Sequence, residues 1–140
     1  MTRKHFPPDD PREWMCRARS NLVLAGTVVP GVELEDLCFE TQQAAEKAIK
    51  AVLISRVEPF PYIHDLKKLL IRLEQSGLKI PKYVWEADEL STFAVMTRYP
   101  GMADPITPRE YRRAVRIAEA VLRWAERQVE ARMKQRGSKT

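Results

Sequence analysis

The sequence predicts an all-α protein, a five-helix antiparallel up-and-down bundle. Three observations lead there. Apolar residues recur at three- and four-residue intervals in five separate segments, with no run of strict alternation long enough for a half-buried strand. Proline and glycine interrupt the pattern between the segments. Two segments open on the same signature, Asp10-Pro11-Arg12-Glu13 and Thr107-Pro108-Arg109-Glu110: an N-cap residue, a proline at the first helical position and a capping-box glutamate.

The first helix opens at Pro11 and carries Trp14, Ala18, Leu22 and Ala25 on one face, fading at Gly26 or in "TVVPG". The second is predicted over about Glu33 to Ser55. Leu34, Leu37, Cys38, Thr41, Ala45, Ala48, Ile49 and Val52 form its apolar face, with Glu40, Gln43, Lys47 and Lys50 turned away. "EPFPY" stops it, because prolines at that density break a helix. A short third helix follows with Leu66, Leu69, Leu70 and Leu73 inward and Gly77 as its C′ residue. Pro81 opens a fourth, carrying Val84 or Trp85, Ala87, Leu90, Phe93 or Ala94, and Thr97, and ending by Tyr99 because Pro100 disfavours a helical residue before it. The long fifth helix buries Tyr111, Ala114, Val115, Ala118, Val121, Leu122, Ala125, Val129 and Met133. The expected organisation is a flexible N-terminus over residues 1–10, the bundle over 11–133 and a basic, disordered tail over 134–140.

The 140 residues suit one domain, and no apolar run approaches the ~20 residues of a bilayer span. The basic start "MTRKHFPPDDPREW" lacks the apolar stretch of a secretory signal, and Cys16 and Cys38 are read as reduced, buried thiols. A cytoplasmic protein with no membrane partner is expected. The net charge of +5 is unevenly placed: residues 107–140 hold ten Lys/Arg against four acids, so the remainder sums to −1. At 100° per residue, Arg109, Arg113, Arg116, Arg123, Arg127 and Lys134 gather along one side of the fifth helix. That stripe is either a solvated face or a nucleic-acid stripe. Glutamates interrupt it, and no aromatic residue lies on it to stack bases.

Several chemistries lack their residues. His5 and His64 are the only histidines, without HxxxH or CxxC spacing, so no metal is expected. The five glycines never cluster, which removes the phosphate-binding loops, and no cofactor is expected.

Three stretches stand in a telling order: "FETQQAAEKAIKAVLI" at 39–54, "IHDLKKLL" at 63–70 and "TRYPG" at 97–101. With the five-helix pattern they make the chain resemble a HEPN domain from about residue 11 to 132. The resemblance implies a helical bundle forming two-fold homodimers, often encoded beside a minimal nucleotidyltransferase in two-component, toxin–antitoxin-like systems. Some members are metal-independent ribonucleases, with an arginine followed after four to six residues by a histidine. Here the positions so spaced from Arg98 hold Ala103, Asp104 and Pro105, and no histidine follows His64. The reading is therefore a nucleotide- or RNA-binding subunit with Arg98, Tyr99, His64, Asp65, Gln43 and Lys47 as ligand-binding candidates. Two alternatives stand beside it: a ribonuclease using Arg98 and a displaced His64, and a non-catalytic scaffold that engages a partner. For Arg98 the local choice is between capping its own helix end and clamping an anion with its planar fork.

Overall fold

The computed structural model describes residues 3–59, 64–95, 100, 101 and 104–137. Among these every regular element is helical and no strand occurs. The elements are α1 (Pro11–Ala25), α2 (Leu34–Ser55), α3 (Leu66–Gln75), α4 (Lys82–Trp85) continued by a 3₁₀ helix (Glu86–Ala94), and α5 (Pro108–Gly137). Counting α4 and its continuation as one, these are the five helices expected.

α2 is the axis of the molecule. It packs against α1, α3, the 3₁₀ helix and α5. The α1–α2 pair is antiparallel: Trp14 faces Lys50 near one end, while Asn21 faces Glu40 and Lys47 toward the other. α5 crosses back along α1, from the bond between the Tyr111 hydroxyl and the Ala25 carbonyl to the Arg19–Glu126 ion pair. α3 starts beside Glu46, in the middle of α2, and ends beside Arg56, where the guanidinium donates to Ser76. The core collects Ile49, Val52 and Leu53 from α2, Leu66, Leu69, Leu70 and Leu73 from α3, and Val121, Leu122 and Trp124 from α5.

Side chains cap the starts of α1, α3 and α5, whereas Glu33 and Pro81 make no side-chain cap at α2 and α4. Thr107 Oγ1 accepts from Glu110 N–H and Glu110 Oε1 accepts from Thr107 N–H, both at 3.1 Å, the reciprocal capping box. At α1, Asp10 caps Arg12 N–H at 2.9 Å, but Glu13 does not complete the box. Its buried carboxylate turns to the N-terminal arm, accepting from the Arg3 guanidinium, Phe6 N–H and Arg17. Arg3 and Arg17 hold that carboxyl far below the usual carboxylate range. Arg3 and Phe6 of the N-terminal segment are thereby joined to α1.

Three other expectations need correcting. Lys50, expected to face away, is buried, because α2 has neighbours on nearly every side. The fourth helix keeps α geometry only for Lys82–Trp85 and is 3₁₀ beyond it. Thr92 Oγ1 bonds back to Glu89 O, a local tie that competes with α winding, and Ser91 Oγ accepts from Leu66 N–H at the start of α3. Thr97 lies outside the described residues. α5 continues four residues past Met133, where Arg136 donates to the Ser55 carbonyl at 2.9 Å.

Turns behave as their residues require. Gly31, Gly77 and Gly101 have positive φ, and Gly77 ends α3 as expected. Val57 does so too, at φ 57°, just after α2, where Val57 N–H reaches Ile54 O and Glu58 N–H reaches Leu53 O. That is a Schellman-type ending with a β-branched residue in glycine's place.

Candidate functional site

Gln42, Glu46 and Lys50 follow one another at four-residue spacing on α2 and are all buried. Four-residue spacing stacks side chains on one helix face, and this line of polar groups runs inside the protein toward the start of α3. Glu46 is its centre. Its Oε1 accepts from Gln42 Nε2 at 2.9 Å and lies 2.9 Å from His64 Nδ1. Its Oε2 accepts from Lys50 Nζ at 3.0 Å. Gln42 Nε2 also makes a long contact of 3.5 Å to the His64 carbonyl, and Gln43 donates to Gln42 at 2.7 Å. Burial pushes the Glu46 carboxyl up, but Lys50, Gln42 and His64 together outweigh it, and its pKa sits below the ordinary value. The group is an ionised carboxylate inside the protein, with its charge answered by a buried ammonium 3.0 Å away.

The consequence reaches His64. An ionised carboxylate has no proton to offer, so the hydrogen in the short contact belongs to Nδ1 of the imidazole. In the neutral ring Nε2 then carries the lone pair. The His64 side chain is 66% exposed while Glu46 is 5% exposed. An open imidazole is thus oriented by a carboxylate beneath it, an arrangement able to accept a proton or a hydrogen bond at Nε2. Asp65, next to it, spends its side chain on capping α3 at Lys68 N–H.

The remaining ligand-binding candidates divide. Gln43 joins the polar line through Gln42. Lys47 is claimed by α1: its Nζ donates to Asn21 Oδ1 at 2.8 Å, and burial lowers its pKa, opposed by Glu40. It borders a cavity of about 540 Å³ lined also by His5, Phe6, Trp14 and Arg17. Arg98 and Tyr99 lie outside the described residues; so does Ala103. Pro100 and Gly101 form a turn, with Gly101 at φ 84°. Cys38 is buried and its thiol pushed up to about 12, so it offers no thiolate.

On α5, Arg109, Arg116 and Arg123 are exposed and make no hydrogen bond or ion pair with any described residue. Arg113 is paired with Glu89 at 2.7 Å and approaches Glu86 at 3.9 Å. Arg127 donates to the Tyr83 hydroxyl at 3.2 Å. The stripe therefore has an aromatic neighbour that the sequence reading lacked, brought there by α4. Among the described residues, no group of three His, Cys, Asp or Glu side chains gathers to hold a metal ion.

Sequence reasoning missed Gln42, Glu46 and Lys50. The available signal was a polar residue at every fourth position through the middle of an apolar helix, which reads equally well as an exposed edge.

Comparison with known proteins agrees with this architecture. The HEPN domain family model matches residues 11–128. A solved crystal structure of an archaeal HEPN homologue superposes with a TM-score of 0.70 at 25% identity, over 86% of this chain and 98% of that one. No curated protein matches.

Proposed function

We propose, from the premise that this chain belongs to the HEPN domain family, that it is a nucleotide- or RNA-binding subunit and not a self-sufficient ribonuclease. Membership supports a nucleotide- or RNA-related role. The binding reading is carried by one observation: Ala103, Asp104 and Pro105 stand where the family's ribonucleases place a histidine after the arginine. A missing general acid or base commonly costs ~10²–10⁴ in rate. In this reading Arg98 meets a phosphate, Tyr99 stacks beside it, and His64 with Gln43 lines the approach. The subunit works in the cytoplasm as a homodimer with a minimal nucleotidyltransferase partner, in a two-component, toxin–antitoxin-like system. No described helix is long and apolar enough to cross a membrane.

The ribonuclease reading keeps a place because of the Glu46–His64 contact, which readies an imidazole for proton transfer. One experiment separates the two. RNA binding and cleavage are measured for the wild type, Arg98→Ala, Arg98→Lys and His64→Ala. The binding reading expects no cleavage and a loss of about 1.5–3 kcal/mol of affinity in Arg98→Ala, the range for hydrogen bonds to charged groups. Arg98→Lys should recover only part, lacking the bidentate fork. Cleavage by the wild type that disappears in both Arg98→Ala and His64→Ala selects the ribonuclease. A melting temperature lowered by several degrees in Arg98→Ala, with binding intact, makes Arg98 a helix cap and removes the clamp.

A further inference from the structure

We propose that the face shared by α4 and α5 is a track for single-stranded RNA, with Tyr83 as its stacking residue and Arg116, Arg123 and Arg127 as its phosphate contacts. The choice of RNA rests on the family-level role just given. The track itself uses none of the residues of the Arg98 reading.

Three observations carry it. Arg109, Arg116 and Arg123 project from α5 and make no hydrogen bond or ion pair with any described residue. Charges left unpaired on a folded surface attract a polyanion most directly. Two acids of the neighbouring 3₁₀ helix, Glu89 and Glu86, are both engaged by Arg113. One arginine thus answers both of these acids, and Arg116 and Arg123 are left without an ion pair among the described residues. Finally, Tyr83 is 41% exposed, and its hydroxyl is anchored by Arg127 at 3.2 Å. An anchored, open ring beside a row of arginines supplies both halves of a single-strand site, a π-face for a base and cations for the backbone. Exposed Lys82 adjoins Tyr83 and extends the positive surface.

The geometry favours a single strand over a duplex. A paired helix keeps its base faces stacked inside, and recognition through phosphates alone would gain nothing from an open tyrosine. From Arg109 to Arg127, α5 rises roughly 27 Å at ~1.5 Å per residue, enough for several nucleotides. An acidic protein partner would likewise use the arginines and be indifferent to the ring.

The test is fluorescence anisotropy with a fluorescein-labelled oligouridylate of about 12 nucleotides, within the ~4–16-nucleotide range of single-strand sites. A duplex of equal length and polyglutamate serve as competitors. Tyr83→Ala should weaken oligouridylate binding roughly 5- to 150-fold, the equivalent of about 1–3 kcal/mol for one stacked base. Tyr83→Phe should retain most of the affinity. Arg116→Gln with Arg123→Gln should make the log–log salt slope shallower by about 1.4, at roughly 0.7 per lost contact. All these positions are exposed, and an unchanged circular dichroism spectrum checks the fold of each variant. Tyr83→Ala binding like the wild type, or polyglutamate or duplex competing as well as the single strand, overturns the track. Loss in Arg98→Ala with Tyr83→Ala unaffected also overturns it while sustaining the Arg98 clamp. Loss in Tyr83→Ala with Arg98→Ala unaffected does the reverse. No oligouridylate binding by the wild type at ~50 mM salt overturns the track, and the clamp is then judged on mononucleotide titration.

Discussion

His64 Nδ1 stands 2.9 Å from Glu46 Oε1, across eighteen residues of sequence, and the same carboxylate holds Lys50 on its other oxygen. An exposed ring, a buried acid and a buried base thus form one connected unit. Breaking it at Glu46 leaves the ammonium of Lys50, 7% exposed, without its counter-charge. Removing one partner of a buried pair typically costs about 3–5 kcal/mol. Glu46→Ala should show that loss in urea denaturation, and Glu46→Leu combined with Lys50→Met should recover most of it. Equal stabilities for Glu46→Ala and the wild type would mean that the pair contributes nothing.

Acid should unfold the protein through its depressed carboxyls. Glu13 and Glu46 titrate below the ordinary value in the folded chain, whereas an unfolded glutamate titrates near ~4.3. The unfolded chain therefore takes up protons first as pH falls. The contribution of these two groups is complete above about pH 5 and declines as pH drops through their folded values. Urea midpoints should be level near neutrality and fall below ~pH 4, with a shallower fall in Glu13→Gln.

Val57→Gly should stabilise the protein, against the usual direction for glycine. Val57 sits at φ 57° and is exposed, so replacement gives up no core packing. The left-handed region costs an L-residue roughly 1–2 kcal/mol, part of which glycine returns as unfolded-chain entropy. A net gain of about 0.5–1 kcal/mol in chemical denaturation is expected. A loss would show that the Val57 side chain has a packing role.

Tyr111→Phe removes one hydroxyl that ties the start of α5 to the end of α1 at the Ala25 carbonyl. The expected cost is about 0.5–1.5 kcal/mol, with little change in the far-ultraviolet spectrum. Thermal melting of the two proteins side by side measures it.

Homodimer formation is expected from static light scattering at micromolar concentration, which should give roughly twice 16.2 kDa. Val23, Leu24, Val28, Val29 and Val32 are exposed within one uncharged run, the surface a two-fold contact has most reason to cover. Val23→Asp with Val28→Asp should shift the population toward monomer. A single monomer peak across the concentration series removes the dimer.

What could be read in advance depended on how many sides an element covers. α3 touches the core along one face only, so its leucines at 66, 69, 70 and 73 were assigned from spacing alone, and all are buried. The capping box at Thr107 is a local hydrogen-bond exchange and was equally legible. α2 defeats the same method because neighbours surround it, so an inward line of Gln42, Glu46 and Lys50 imitates a solvent edge. Glu13 failed for a related reason: a capping-box glutamate and a buried anchor for an N-terminal arm look alike until the arm folds back. Tyr83 became part of the stripe only once α4 lay against α5.

The buried pair on α2 also constrains how this sequence can drift. A lineage that replaced Glu46 alone, or Lys50 alone, would pass through a protein carrying a stranded charge in its interior, and marginal stability leaves little room for that. The two positions are therefore heritable as a couple, exchanged together for apolar residues or kept together. The bonds from Gln42 and His64 to that carboxylate are under less of this constraint, because Lys50 already neutralises its charge.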